Sequence, residues 1–433
     1  MTRSQRRRTV ALAVVGAIIL GGATYVSVHA GNVHHHLSAA AGLLQTLRQQ
    51  AVDRDAGART TLALLQEETG AARSQTEGLA WRLGGRLPIV GADAAAVRTV
   101  AAALDDIARQ TLPRLLDIAD SVPAGTVLPS GGRVAVDALW AAAPKLVAAD
   151  DVTRRVRERL VNIPLEKLLP AVRSAVGQVI AGVDKLASLT GAAAKGARLI
   201  PVMLGTTRPR TYLMIFQNPA EIRASGGMPG AFAVIRADRG AITMVGQGSA
   251  AADLQAFDAS VLPLDPAMRA LYGDRLGTFP ANVNLTPHFP TSAALIREMY
   301  RRRSGTTVDG VLSVDPLALS YLLEATGPLP MPTGPALKAD TVVEQLLVDS
   351  YADITGTALA DVRAKDQYLA TAARTVFEAL THGISRPGVA LTSLARAAAE
   401  RRILVWSAEP REQEVLDGTP LQGVLPLSDG ARP

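Results

Sequence analysis

A glycine-rich segment, residues 218–230, carries the densest set of groups that could recognise a ligand. It reads Asn-Pro-Ala-Glu-Ile-Arg-Ala-Ser-Gly-Gly-Met-Pro-Gly and lies between two predicted strands. Glycine permits positive φ and a close approach of the backbone. One interpretation is an anion- or sugar-facing loop in which Arg223 anchors the charge and glycine amides donate hydrogen bonds. That interpretation assigns substrate binding to Asn218, Glu221, Gly226 and Gly227. The alternative is a tight strand connection in which Glu221 and Arg223 pair with local partners.

A second polar segment, residues 282–292, precedes a predicted helix and is bracketed by prolines. Irregular segments of this kind often carry function, and we predict that Asn284 and His288 bind substrate. A histidine can also act as an acid or base near neutral pH. The alternative is a structural role for His288, because the sequence identifies no carboxylate partner for it.

Two aspartates, Asp309 and Asp315, accompany a predicted strand at residues 308–314. Their even separation places both on one face if the strand extends over both positions. The alternative is that they are strand-end and helix-cap residues, since Asp315 stands directly before Pro316.

Several chemistries are excluded by what the sequence lacks. It contains no cysteine, which excludes disulfides, thiolate metal sites and cysteine nucleophiles. It contains no Gly-x-Ser-x-Gly elbow, Walker A motif or His-Glu-x-x-His motif. The net charge of +6 includes four arginines within the first eight residues, and basic residues are not interleaved with aromatic ones. Nucleic-acid binding is therefore disfavoured.

The N-terminus predicts a membrane anchor. Residues 1–8 are rich in arginine and precede an uncharged, mostly apolar run over residues 9–30, and about 20 apolar residues span a bilayer. The arginines keep residues 1–8 in the cytoplasm, which predicts a single-pass cell-membrane protein with an extracytoplasmic C-terminal domain. The alternative is a cleaved signal peptide that ends at Val28-His29-Ala30.

Composition and periodicity predict a multidomain α+β protein. Hydrophobic residues make up 48% and charged residues 19% of the chain, which suits a buried core. Residues 31–199 contain four Ala-rich stretches with helical spacing, which predict a helical bundle or stalk. In residues 200–410, five short apolar runs interspersed with predicted helices predict an α/β domain, and residues 411–433 are predicted to be a C-terminal tail. The predicted strands are 212–216, 231–235, 241–245, 308–314 and 402–406.

Four motifs in this order resemble the bacterial domain-of-unknown-function family 4012. They are the segments 218–230, 282–292, 308–316 and 322–328, and the resemblance covers about residues 200–410. That family is uncharacterised, but its domain is distantly similar to the LytR-CpsA-Psr phosphotransferases, which attach lipid-linked glycopolymers to the cell wall. The resemblance implies a LytR-CpsA-Psr-like sheet flanked by helices, with arginines for a pyrophosphate and acids for a divalent cation such as Mg²⁺.

Together these features suggest a membrane-anchored envelope protein that binds or transfers an anionic or lipid-linked surface polysaccharide. In the catalytic form, a phosphotransferase would clamp phosphate with Arg223 and Arg363 and hold a metal near Asp309 or Asp315. The alternative is a non-catalytic scaffold of cell-envelope or polysaccharide-export machinery. The predicted partners are the membrane and either a lipid-linked glycan or envelope proteins.

Overall fold

The chain forms two compact units, one from residues 1–122 and 141–197 and the other from residues 123–140 and 198–433. We call them the helical unit and the sheet unit. The computed structural model describes residues 31–51, 55–78, 81, 91–122, 128–349 and 359–425. At residues 349, 359–366 and 369 it describes the backbone alone.

Helices make up the helical unit, whose sequence is rich in alanine, the best helix former. They are α1 (31–51), α2 (Ala58–Thr76), α3 (Gly91–Asp106), α4 (Leu112–Ser121), and most of α5 (Val136–Val161) and α6 (Pro170–Met203). Apolar residues three and four positions apart share one face of a helix. Val100 and Ile107 accordingly pack in one buried core with Val156, Leu160 and Val176.

The prediction of a single-pass membrane anchor is corrected by the structure. No helix in the described part of the chain is both long enough and apolar enough to cross a bilayer. The longest described helix, α6, carries Arg173, Asp184, Lys185 and Lys195 among its apolar residues. The run predicted to span the membrane, residues 9–30, lies outside the described residues. We therefore retain neither the membrane localisation nor the transmembrane element of the predicted fold class.

A five-stranded sheet in the order β3–β2–β1–β4–β5 forms the centre of the sheet unit. Its strands are β1 (Arg210–Asn218), β2 (Met228–Asp238), β3 (Ala241–Ser249), β4 (Gly310–Val314) and β5 (Ile403–Ser407). Each overlaps one of the five predicted strands. β1 and β4 run parallel, whereas the pairs β1–β2, β2–β3 and β4–β5 are antiparallel.

The predicted α/β domain is therefore corrected to a mixed α+β arrangement. A parallel connection needs a crossover of a dozen or more residues, but antiparallel strands need only a short turn. The turn at Arg239 and Gly240 joins β2 to β3, and the segment 219–227 joins β1 to β2. The sequence spacing of strands and helices did not reveal that β1 lies between β2 and β4.

Besides its strands, the sheet unit contains α-helices, some of which pack against the two faces of the sheet. They are α7 (Pro266–Tyr272), α8 (Arg275–Thr278), α9 (Phe289–Ser304), α10 (Pro316–Thr326), α11 (Val342–Glu344), α12 (Leu359–His382), α13 (Pro387–Ala399) and α14 (Pro410–Leu416). Successive residues of a strand point to opposite faces. Leu213 of β1 packs in a core with Ile296 of α9, whereas Tyr212 packs in another core that Phe377 of α12 borders. Both faces of the central strand are thus buried.

Residues 128–140 belong to the sheet unit although they come long before its strands. Val134 N–H donates to the Gly240 carbonyl at 2.9 Å, and Ile242 N–H donates to the Gly132 carbonyl at 2.9 Å. These bonds satisfy backbone groups at the start of the edge strand β3, which an edge otherwise leaves unpaired.

Candidate functional site

The parallel strands β1 and β4 end side by side at one edge of the sheet, which we call the carboxyl edge. Phe216 of β1 lies opposite Val314 of β4 there. In sheets with parallel strands, ligands commonly bind outside the carboxyl ends of those strands. Gln217, Asn218 and Asp315 form the polar end of a cavity of about 30 Å³ at this edge. That volume suits a water-sized molecule and excludes a sugar ring.

Asp315 lies at the carboxyl edge, where its carboxylate is engaged on both oxygens. It caps α10, because Oδ1 accepts the Ala318 N–H at 2.9 Å. Oδ2 lies 3.1 Å from Nη1 of Arg402. The side chain is 3% exposed, and the cap and the ion pair together compensate that burial. The structure thus places the predicted catalytic residue beside Asn218 but gives its carboxylate a structural role.

The segment 218–228, which we call the recognition loop, folds back on the end of β1. Oδ1 of Asn218 accepts the Ala220 N–H at 3.0 Å, and Nε2 of Gln217 donates to the Ser225 carbonyl at 2.9 Å. A Cβ atom at Gly227 would lie 2.6 Å from the Asn218 carbonyl oxygen, so that position requires glycine. Gly226 has φ of 116°, which other residues rarely adopt.

The second polar segment braces the recognition loop. Asn284 lies in a 3-10 turn, Pro280–Leu285, and its Nδ2 donates to the Gly227 carbonyl at 2.9 Å. Ser225 N–H donates to the Asn284 carbonyl at 3.2 Å, and Ser225 Oγ donates to the Thr286 carbonyl. Asn284 has no exposed surface. It therefore positions the loop and does not present a surface to substrate.

The outer part of the recognition loop presents an apolar and a cationic side chain. Ile222 is 84% exposed. Arg223 is partly buried, and its Nη1 donates to the Ile222 carbonyl at 2.9 Å. Its Nε is buried without a hydrogen-bond partner in the described part of the chain. Glu221 closes the loop through its backbone, since its carbonyl accepts the Met228 N–H at 3.1 Å.

His288, predicted to bind substrate, is the N-cap of α9. Its Nδ1 accepts the Thr291 N–H at 3.3 Å and lies 2.9 Å from Thr291 Oγ1. Burial lowers the pKa of His288, and Asp417 offsets part of this effect. The neutral imidazole that burial favours is also the form that can accept the capping hydrogen bond. The structural interpretation therefore accounts for this residue.

Asp309 directly precedes β4 and therefore lies at the end of the parallel strands opposite the carboxyl edge. Its Oδ1 is 2.5 Å from Arg208 Nη2 and 3.6 Å from Arg210 Nη1, and its Oδ2 accepts the Thr211 N–H at 2.8 Å. Arg210 is also paired with the buried Glu412 at 2.5 Å. β4 separates Asp309 from Asp315, and six residues of extended chain span about 20 Å.

Asp309 and Asp315 cannot hold one Mg²⁺ ion together, because they lie at opposite ends of β4 and each is paired with an arginine. Mg²⁺ near one of the two stays a prediction. Among the described residues, no three acidic or histidine side chains are grouped closely enough to hold a metal ion. Arg363 falls on α12, but its side chain is outside the described residues. The structure therefore does not bring the four predicted catalytic residues together.

Three residues of this site were not predicted from the sequence: Gln217, Ser225 and Arg402. Gln217 is a polar residue at the end of an apolar strand, and Ser225 lies inside the glycine-rich motif, so both had a local signal. Arg402 had none, because its partner Asp315 is 87 residues away in the chain.

Residues 207–351 match the family model of the protein of unknown function DUF4012. This match supports the resemblance inferred from the motifs over a segment that includes the recognition loop, its brace, Asp309 and Asp315. The segment ends before α12 and Arg363. No curated protein matches the chain.

Proposed function

We propose that the sheet unit is a non-catalytic binding module for an anionic surface polysaccharide, and that the recognition loop makes the contact. The observation that carries this proposal is the loop itself. Its base is held by buried hydrogen bonds from Gln217, Ser225 and Asn284, whereas Ile222 is 84% exposed. A loop ordered before binding loses little conformational freedom when it binds.

The chemistry of the loop suits a sugar that carries an acidic group. The apolar face of a sugar ring can pack on Ile222, while its carboxylate or phosphate pairs with the adjacent Arg223, whose guanidinium fits planar oxyanions. A polymer bound across a loop needs no enclosed pocket, which agrees with the small cavity at this edge.

Binding is favoured over transfer because the predicted catalytic acids already have structural partners. Asp315 caps α10 and pairs with Arg402, and Asp309 pairs with Arg208. Neither carboxylate is left to activate an acceptor. The distant similarity to LytR-CpsA-Psr phosphotransferases stays a hypothesis, and the transfer reaction rests on it alone.

Calorimetric titration of the full chain with polygalacturonate oligomers and with neutral dextran tests the proposal. We expect the acidic polymer to bind and dextran not to bind. The variant Arg223→Ala removes charge-assisted hydrogen bonds of about 1.5–3 kcal/mol, so its affinity should fall by at least tenfold. Ile222→Ser should weaken binding to a smaller extent.

Arg236→Ala is the matched control. Arg236 is an exposed arginine on β2, and eight residues of strand place it about 26 Å from Met228 at the loop. Equal binding by the Arg223 and Arg236 variants would overturn the proposal and favour the scaffold alternative. Titration with geranyl pyrophosphate with and without Mg²⁺ tests the lipid-linked form, and a Mg²⁺-dependent gain in affinity would contradict the non-catalytic assignment.

A further inference from the structure

A groove in the helical unit has the size and chemistry of a ligand site. It has a volume of about 440 Å³ and lies between the α3–α4 junction, with Asp106 and Gln110, and α5, with Arg155 and Arg159; Asn162 directly follows the end of α5. Pockets for small molecules typically measure about 300–1,000 Å³. The groove belongs entirely to the helical unit and is separate from the carboxyl edge of the sheet.

A π-helical turn forms one wall of this groove. Residues Ile107–Thr111 adopt the wider turn, and Leu112 N–H donates to the Ile107 carbonyl. The cause lies in the sequence, because Pro113 has no N–H for the carbonyl four residues earlier and its ring clashes with that carbonyl. Turns of this kind are frequent at functional sites. Gln110 lies on this turn and is one of the residues that line the groove.

The arginines of α5 show which charge the groove can accept. Arg154 lies 2.9 Å from Asp151, Arg157 lies 2.6 Å from Asp184, and Arg159 lies 2.5 Å from Asp106. Arg155 is exposed and lines the groove, and it has no ion pair among the described residues. Arg155 and Arg159 are one helical turn apart, which places them on the same face.

The acids in the groove are compensated. Asp106 is shared by Arg159 and by Arg73, whose Nη1 is 3.1 Å away. Glu158, which also lines the groove, lies 3.8 Å from Arg154. Among the described residues, Arg155 is therefore the cation at the groove that has no ion pair. Beside it, Gln110 Nε2 donates to Asp106 Oδ1 at 3.4 Å and Asn162 Nδ2 donates to the Glu158 carbonyl at 2.8 Å, so each carboxamide keeps a second N–H for a ligand.

We propose that this groove binds the oxyanion of a small polar molecule, a phosphate or a carboxylate. Arg155 supplies the charge and a two-pronged hydrogen-bond donor, and the carboxamides of Gln110 and Asn162 donate to the remaining oxygens. The groove is larger than an oxyanion alone, so its ligand carries further polar groups such as hydroxyls. These hydroxyls can donate hydrogen bonds to the carboxylates of Glu158 and Asp106.

Titration calorimetry of the full chain with inorganic phosphate, glycerol 3-phosphate and acetate tests this proposal. We expect saturable binding with one site per chain, tightest for glycerol 3-phosphate if the oxyanion is a phosphate and tightest for acetate if it is a carboxylate. Arg155→Ala should weaken binding at least tenfold. The affinity of Arg155→Lys should lie between those of Arg155→Ala and the wild type, because lysine keeps the charge but cannot donate two parallel hydrogen bonds.

Arg157→Ala is the matched control, since it removes the same charge from an exposed position on the same helix, where its partner is Asp184 and its side chain does not line the groove. Its affinity should stay within twofold of the wild type, and so should that of Arg223→Ala, which separates this site from the recognition loop. Absence of saturable binding for all three probes, or equal losses in the Arg157 and Arg155 variants, would overturn the proposal. Circular dichroism of each variant checks that the helices are retained.

Discussion

Asp309, Asp315 and His288 are three of the ionisable residues that the sequence analysis assigned to catalysis or binding, and each contacts a neighbour in the structure. Asp315 and His288 start helices, and Asp309 joins the starts of β1 and β4. Aspartate is among the preferred N-caps because its oxygen accepts the free N–H groups of the first turn. The residue types that suit catalysis are therefore also the types that a helix start requires, and only their partners separate the two roles.

Adding a single carbon atom at Gly227 would test how closely the recognition loop is packed. A methyl group there meets the backbone carbonyl of Asn218 at 2.6 Å, and backbone cannot move aside cheaply. We expect Gly227→Ala to lower the free energy of unfolding by about 1–3 kcal/mol, the range for overpacking. Urea denaturation measures this change. Gly230→Ala is the control, because nothing lies within 4 Å of its Cβ position; an equal loss there would contradict the close approach at Gly227.

At the scale of elements, the start of α9 links the buried core to the recognition loop. His288 caps this helix, and the residues just before it, Asn284 and Thr286, hold the recognition loop. The helix is anchored by Phe289, Leu295 and Ile296 in the core against β1 and β2. The brace is therefore rigid because it continues directly into a packed helix.

The burial of His288 makes the stability of this element depend on pH. Burial lowers the pKa of His288 below its ordinary value of 6.5, so the unfolded chain binds a proton more readily than the folded protein. The contribution to stability is then complete above about pH 6.5 and is lost as the pH falls through the folded pKa. In His288→Asn the asparagine keeps the cap and removes this titration. Urea unfolding between pH 5 and 8 should show a steeper acid-side loss for the wild type, and parallel curves would refute this role.

At the scale of the whole molecule, the sheet unit is built from two separate parts of the chain. Residues 128–140 bond to the start of β3, and Gly132 N–H also donates to the Thr381 carbonyl at 2.6 Å. Arg210 and Glu412, 202 residues apart, are joined by a buried ion pair. Removing one partner of a buried pair leaves an uncompensated charge, so distant segments depend on one another for stability.

This discontinuity predicts how a fragment behaves. A fragment of residues 198–425 lacks the segment that bonds to β3, and its exposed strand edge should promote aggregation. We expect this fragment to unfold at a lower temperature than the sheet unit does within the full chain. A synthetic peptide of residues 128–140 should raise its Tm, and a peptide of scrambled sequence should not. A fragment that melts unchanged with and without the peptide would show that the segment is dispensable.

Local patterns in the sequence determined the helical character of the first half and the positions of the five strands. Periodicity of apolar residues and the placement of glycine and proline act over a few residues, so they can be read without knowing the fold. The same local signals identified the two polar segments, 218–230 and 282–292, which the structure brings into contact. The motif order also pointed to the family whose model matches residues 207–351.

Only the tertiary structure decided which groups are neighbours. The order of the strands, the pairing of Asp315 with Arg402 and of Arg210 with Glu412, and the brace from Asn284 to Gly227 all join residues distant in the chain. A carboxylate in the sequence is the same whether it faces a metal, a substrate or an arginine. Its role depends on desolvation and on the partner within a few ångströms, and packing between remote segments sets both.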